Sequence, residues 1–283
     1  MPPAPAAASS TTPPDVSGLD LASVDPVFIT YTVTDADMQT VGELPSDVAA
    51  KAKLKALPYH DAAEAIGEKF HSDPDFLEKL NPGKTKTIKA GDQLKVPNVE
   101  PFDLAAVKDL KPGSDVGPAV ANDIPDEEAK PPADEPTPGS LQDPAAAAGP
   151  VSVKVDTKTN MLAVYHGDAI VAAYPVTIGS AQTASPIGEW KVRGVAKMPT
   201  YRYDEKMLKA GERSNNFKML PPGPNSPVGI IWIALNKKGI GLHGTEDPDS
   251  IGRSASHGCV RLANWDIIRL AGKVKGGVPV SIH

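Results

Sequence analysis

The sequence predicts a mostly β domain over residues 151–283, preceded by a small α+β domain and a proline-rich connection. Three observations carry this. From Val151 onward, short apolar-polar alternations are joined at hairpin spacing. Residues 26–102 combine strand signals at both ends with two capped helical patterns between them. The 30 prolines concentrate before residue 151, where they stiffen spacers rather than enlarge a core.

Residues 1–25 are rich in Pro, Ala, Ser and Thr, and are expected to be disordered. Val27–Val33 is β-branched and aromatic and reads as a strand. Residues 34–60 are ambiguous, with a short helical pattern around Ser46–Leu57. Asp61 then caps a helix whose Ala62, Ile66 and Phe70 recur every four positions. Asp73-Pro74 opens a second helix with an N-cap followed by proline, and Asn81-Pro82-Gly83 ends it. Ile88–Pro97 reads as a turn and a short strand. Residues 103–150 are acidic, alanine-rich and proline-rich, a semi-extended linker, with Phe102–Leu110 able to form a helix packed on the first domain.

In the second domain Val151, Val153 and Val155 alternate with polar residues, Met161–Tyr165 is a second strand, and Ile170–Val176 follows a tight turn. Glu189–Val192 is another strand. Residues 196–226 are polar with few periodic apolar positions, the pattern of a lid or binding loop. Gly229–Leu235 and Ile240–His243 pair about residues 236–239. Asn264 is read as the cap of a helix over Trp265–Ala271, and Pro279 places the final strand, Val278–Ile282, at an edge.

At 283 residues the chain holds two domains of ordinary size. Its formal charge of −6 offers no basic field for nucleic acid. No run of about 18 apolar residues is present to span a membrane. A single cysteine excludes an internal disulfide without fixing the compartment. Met1-Pro2-Pro3-Ala4-Pro5 lacks the basic and apolar regions of a signal peptide, which leaves a cytosolic protein or one whose leader has been removed.

That cysteine, Cys259, lies in Ser256-His257-Gly258-Cys259-Val260-Arg261-Leu262. A thiol needs a base to become a nucleophile, and His243, at the end of an apolar strand, is held rigidly enough to serve. Gly258 lets a substrate approach and frees the N–H groups of Gly258 and Cys259 to bind an oxyanion. Gly244 exposes its carbonyl, which orients the imidazole in place of an aspartate. Arg261 can pair with a substrate carboxylate. A zinc site built on His243, His257 and Cys259 lacks a fourth ligand and any familiar ligand spacing, so no metal is expected. A buried cysteine in a glycine-rich turn would leave unexplained the glycine after both histidines and the arginine two residues past the thiol.

His243-Gly244-Thr245 and Ser256–Leu262 together resemble the signature of the L,D-transpeptidase (YkuD-type) catalytic domain. Ser185-Pro186-Ile187-Gly188 and the run Leu220–Gly229 fit the same family in the same order, so the likeness spans 151–283. It implies a β-sandwich-like fold with one or two short helices. It also implies a cysteine enzyme without cofactors, acting on peptidoglycan stem peptides and forming 3→3 cross-links through a thioester, insensitive to penicillin and sensitive to carbapenems. Carried over, Cys259 is the nucleophile, His243 the base, Gly244 its orienting carbonyl, and the backbone of His257, Gly258 and Cys259 the oxyanion site. The family often has Asn two positions after the cysteine, where this chain has Arg261. Ser256 is a hydrogen bonder or a turn residue, and Tyr201, Arg202 and Tyr203 in the lid contact the stem peptide or solvent. Water or a lipoprotein lysine as acceptor stays open, as does a non-catalytic wall-binding protein. The likeness implies export to the periplasm or cell wall.

Residues 27–33 and 60–98, with Leu80-Asn81-Pro82 and Gly91–Pro97, resemble a LysM module, a small βααβ domain that binds peptidoglycan or chitin glycan. The chain departs from that family at 34–60, an insertion where the family has a short loop.

Overall fold

A capping box shapes the start of the N-terminal unit. The computed structural model describes residues 25–111, 149–179, 185–237, 239–252, 254–256 (backbone alone) and 259–283. The proposed disordered segment lies outside them, apart from residue 25, as does most of the linker. Strand β1 (Phe28–Thr32) leads into α1 (Asp35–Met38), where Thr34 and Asp37 satisfy each other's backbone N–H groups. Asp37 is also held by the Tyr31 hydroxyl at 2.6 Å and by Lys69 Nζ at 2.7 Å. Helix α2 (Val48–Lys51) is capped by Asp47, α3 (Ala62–Lys69) by Asp61, and α4 (Pro74–Leu80) by Asp73 with Pro74 in its first turn. Strand β2 (Gln93–Pro97) closes the unit antiparallel to β1, from Phe28 opposite Pro97 to Thr32 opposite Gln93. Ile66 of α3 and Phe70 at its C-cap, Leu77 of α4, and Leu94 and Val96 of β2 fill one core.

Phe102–Leu110 departs from expectation. It yields a short helix, α5 (Ala106–Asp109), but Phe102 and Val107 bury in the core of the second unit, not the first. The start of the proposed linker is therefore anchored on the second unit, through buried Val107 with Leu104 and Leu110 packed beside it.

The second unit is built on an eight-stranded mixed sheet. Its strands are β3 (Val151–Asp156), β4 (Met161–His166), β5 (Ala169–Pro175), β7 (Gly188–Lys197), β10 (Ile231–Leu235), β11 (Gly241–His243), β13 (Val260–Arg261) and β14 (Pro279–Ile282). Their order is β13-β11-β10-β7-β14-β3-β4-β5. The ten-residue β7 links the halves: Gly188–Lys191 pairs with β14, and Val192–Lys197 pairs with β10. Two short ribbons flank the sheet, β6 (Ile178–Gly179) with β12 (Ser254–Ser256), and β8 (Tyr201–Tyr203) with β9 (Lys218–Leu220). Helix α7 (Asn264–Ala271) buries Ile267 and Leu270 in the core formed by Val153, Val164, Ile233 and Val280. The domain is mostly β with few helices.

Two local expectations change. Strand β14 is internal, between β7 and β3, and not an edge. Pro279 is tolerated because it is the strand's first residue, where a missing N–H costs least. Asn264 is not the cap of α7; Ala263 holds that position, and Asn264 begins the helix.

Residues 196–226 are not a structureless loop. They contain the end of β7, the β8–β9 ribbon and, between its strands, α6 (Glu205–Ala210). Asp204 caps α6 and fastens the connection, accepting from Ser214 N at 2.7 Å, Ser214 Oγ at 2.8 Å and Arg202 at 2.8 Å. The Arg202 guanidinium lies 4.0 Å from the centre of the Phe217 ring.

The insertion joins the two units. Leu57 is fully buried among Tyr201, Leu220, Val228 and Trp232 of the second unit, with Leu44, Val48 and Leu54 packed around it. Leu57 N donates to Pro222 O at 2.9 Å, and Asn225 Nδ2 donates to Pro58 O and Glu64 Oε1, each at 2.8 Å. Gly223, at φ +151°, lies so close that a Cβ there would meet the Leu57 carbonyl oxygen at 2.1 Å. Further out, Arg269 pairs with Glu100 at 3.2 Å, and the rings of His71 and Trp265 stack 5.3 Å apart.

Two outcomes are expected. Gly223→Ala forces backbone against backbone at the junction, so it should lower stability by about 1–3 kcal/mol in denaturant titration and speed proteolysis within residues 40–60. The Ser214 backbone N–H and its companion donors hold the Asp204 carboxyl far below the usual carboxylate range. A depressed folded-state pKa stabilises fully above the ordinary value and loses that contribution as pH falls below about 4. Amide hydrogen exchange in residues 201–220, corrected for intrinsic rates, should therefore accelerate at pH 3 relative to pH 6, and Asp204→Asn should show the acceleration at both.

Candidate active site

Strand pairing fixes His243 from both sides. It ends β11, stands opposite Trp232 of β10, and is in register with Arg261 of the parallel β13. The Trp232 and His243 rings stack 5.2 Å apart at 16°. His243 is buried, and its Nδ1 lies 2.6 Å from the carbonyl oxygen of Gly244. A carbonyl only accepts, so Nδ1 carries the proton and Nε2 presents a lone pair. Burial, then the Arg261 charge, push the His243 pKa down to about 3, against the opposing Gly244 hydrogen bond. The imidazole is neutral at physiological pH.

Gly244 is required by closeness. A Cβ there would lie 2.2 Å from Asn264 Oδ1. The Asn264 amide binds three segments around this point: Oδ1 accepts from Ile230 N at 3.2 Å, while Nδ2 donates to Thr245 O at 3.1 Å and Pro224 O at 3.3 Å.

Cys259 stands immediately before β13 and is half-buried. Its Sγ lies 3.6 Å from Gly239 O, a weak thiol donor contact. Burial pushes the thiol pKa up, outweighing the Gly241 backbone hydrogen bond and the Arg261 charge. Cys259 and His243 thus rest as a neutral thiol and a neutral imidazole. Such a pair deprotonates the sulfur as it attacks, by general base catalysis, and holds no standing thiolate.

Both residues line one cavity of about 510 Å³. Trp232, Tyr201 and Arg261 share it, and α6 with the following turn forms its outer wall through Met207, Lys209 and Arg213. Every charged residue on that lining is basic: Arg202, Lys209, Arg213 and Arg261. Arg202 is committed to Asp204, and Lys209 pairs with Glu205 one turn before it. The cavity suits a peptide that carries carboxylates. Burial first, and the nearby Cys259, raise the Tyr201 pKa to about 12, so its phenol stays protonated.

The structure therefore brings Cys259, His243, Gly244, Arg261 and Tyr201 together. Tyr203 packs against the Leu57 cluster and does not line this cavity. Ser256 is placed by its backbone alone, opposite Gly179 in the β6–β12 ribbon. His257 and Gly258, assigned to the oxyanion site, lie outside the described residues. Among the described residues no group of three or more His, Cys, Asp or Glu is arranged to hold a metal ion. Sequence reasoning missed Trp232, Asn264 and the α6 wall. Trp232 read as one more apolar strand residue, and the Leu-Ala-Asn-Trp run read as a cap.

Comparison with known proteins bears on the same region. The sequence model of the L,D-transpeptidase catalytic domain, YkuD, matches residues 150–282. The putative L,D-transpeptidase YkuD of Bacillus subtilis is 31% identical over 143 residues, covering 50% of this chain and 71% of the relative. Its counterpart in Bacillus licheniformis is 31% identical over 133 residues, covering 47% of this chain and 66% of the relative. A solved L,D-transpeptidase from Mycobacterium smegmatis overlaps 47% of this chain and 58% of its own, at 18% identity and a TM-score of 0.38. On the sequence matches, the chain belongs to the YkuD family of L,D-transpeptidases.

Proposed function

We propose that this chain forms 3→3 cross-links in peptidoglycan through a thioester on Cys259. The observation that carries the reading is the neutral His243, its Nδ1 fixed by the Gly244 carbonyl, in one basic-lined cavity with the only thiol of the chain.

The steps follow from that arrangement. A stem tetrapeptide enters with its carboxylates toward Arg261 and the α6 wall. His243 Nε2 takes the Sγ proton as sulfur attacks the carbonyl carbon joining the third residue to the terminal D-alanine. The tetrahedral oxyanion collapses, the C–N bond breaks, and the imidazolium returns its proton to the departing amine. D-Alanine leaves and a thioester remains. The side-chain amine of a second stem's diamino acid then attacks the thioester carbonyl, giving its proton to His243 Nε2. The C–S bond breaks, and the proton passes from His243 to sulfur. One amide is exchanged for another, and no external oxidant or energy source is consumed.

The N-terminal unit, by its likeness to LysM modules, holds wall glycan and raises the local concentration of stems. This reading places the protein in the periplasm or cell wall.

Incubation with a carbapenem should give a covalent adduct on Cys259 by mass spectrometry, absent in Cys259→Ala and slowed by on the order of 10²–10⁴ in His243→Ala. With tetrapeptide muropeptides the product should be dimeric. A folded protein that forms no adduct would sink the proposal, and tripeptide monomer as sole product would make water the acceptor. Full-length Cys259→Ala should sediment with insoluble peptidoglycan; failure to do so would remove the wall-binding role. Because burial holds His243 in its neutral form well below the ordinary histidine range, the acylation rate at pH 5 should stay close to that at pH 7. A decline centred near pH 6.5 would contradict this assignment.

A further inference from the structure

The contacts between the two units converge on the surroundings of a single side chain. Leu57, from the insertion of the N-terminal unit, is buried in the same cluster as Trp232, whose ring stacks on His243. Glu68, on the buried face of α3 where that helix packs against α7, lies beside the side chain of Asn264, and its Oε1 is buried with no hydrogen-bond partner among the described residues. Asn264 in turn holds the Thr245 carbonyl and the Ile230 N–H, and its Oδ1 packs against Gly244. Lys51 of α2 adds an ion pair, 3.7 Å from Glu246, three residues past His243. One path therefore reaches the face of the imidazole and another reaches the carbonyl segment that fixes its tautomer.

We propose that the N-terminal unit is a positioning element for His243, acting through Leu57 on Trp232 and through Glu68 on Asn264. This rests on the assignment of His243 as the base.

The physical case is one of closeness and rigidity. General base catalysis needs Nε2 within hydrogen-bond reach of the sulfur, and an error of about 1 Å can cost on the order of a hundredfold in rate. Among the described residues His243 has no carboxylate partner; its hydrogen bond is to a backbone carbonyl. Its orientation then depends on whatever fixes that backbone and the opposing ring. A cavity left by a missing Leu57 side chain would open within the buried cluster that also packs Trp232. Loss of Glu68 would leave Tyr59 and Asn264 facing an unfilled polar space. Burial raises the Glu68 pKa to about 8, so the side chain is largely neutral at pH 7 and glutamine reproduces its shape. The insertion that interrupts the LysM-like pattern supplies Leu57 and also Pro58, which anchors Asn225. The interruption supplies one part of the junction, beside Glu64 of α3, His71 and Glu100.

The test uses the full chain and three readouts at a temperature where circular dichroism shows each variant folded. These are the carbapenem acylation rate, the iodoacetamide alkylation rate of Cys259, and the ¹⁵N shifts of the His243 ring. Leu57→Ala and Glu68→Ala should slow both reactions by on the order of tenfold or more, and shift the ring from a pure Nδ1–H tautomer toward a mixture. Glu68→Gln should restore native behaviour. Leu94→Ala, a cavity in the N-terminal core away from the junction, should destabilise the protein and leave rates and shifts native. Leu57→Val serves if Leu57→Ala does not fold, with a smaller effect in the same direction. Native rates and ring shifts in folded Leu57→Ala (or Leu57→Val) and Glu68→Ala would overturn the proposal. Equal slowing in Leu94→Ala would reduce it to general stability. A native protein that alkylates but takes no carbapenem would instead refute the transpeptidase reading, with alkylation and ring shifts still deciding the positioning role.

Discussion

The Gly244 carbonyl is the interaction on which the rest of the site depends. At 2.6 Å from His243 Nδ1 it determines which ring nitrogen carries the proton, and so which one can act on sulfur. An aspartate in that place would pull the imidazole toward its charged form. A neutral carbonyl does so only weakly, and burial with Arg261 wins, leaving an uncharged base beside an uncharged thiol. Nothing in the pair is ionised until a substrate arrives. That suits an enzyme with an exposed route to its only thiol, because a standing thiolate would invite oxidation.

A backbone carbonyl is only as well placed as its chain. Gly244 has no side chain because Asn264 occupies the volume one would need. Asn264 spends both of its amide protons on backbone carbonyls, and so turns α7 into a clamp across three loops. From outside the domain α3 packs against α7, while Trp232, stacked on the imidazole, shares its buried cluster with Leu57. Fully burying one leucine contributes about 1.5–3 kcal/mol, so this contact alone is a sizeable fraction of what holds two small units together. A freely swinging N-terminal unit would forfeit it.

Much of this was legible in the sequence, and the limits have physical causes. Strand β3 stands where period-two alternation puts it, with Val153 and Val155 buried on either side of exposed Lys154, and β4 and β5 follow it as the hairpin the sequence suggests. Cys259 and His243 stood out because few residue types perform their chemistry. Pro279 misled because its edge preference concerns strand interiors, and it lies at a strand's start. Asn264 misled because a capping residue and a buried amide hub look alike in one dimension. Residues 196–226 read as a loop because Arg202, Asp204 and Ser214 order them through polar bonds, which leave no apolar period. Phe102 and Leu57 carried no mark of which core they would join, since apolar burial is non-directional.

In the proposed reaction the basic lining of the cavity would give the neutral pair its selectivity. Arg261 lies close enough to depress the pKa of both His243 and Cys259, favouring thiolate formation while disfavouring an imidazolium. A bound carboxylate would neutralise that charge. It would make His243 a stronger base at the moment a substrate is in place, at some cost to the acidity of the thiol. In the proposed reaction Arg261 would then be more than a handle for the stem peptide: a carboxylate bound to it would raise the basicity of His243. Carboxylate recognition and proton abstraction are coupled through one guanidinium, and a ligand without the carboxylate meets a weaker base.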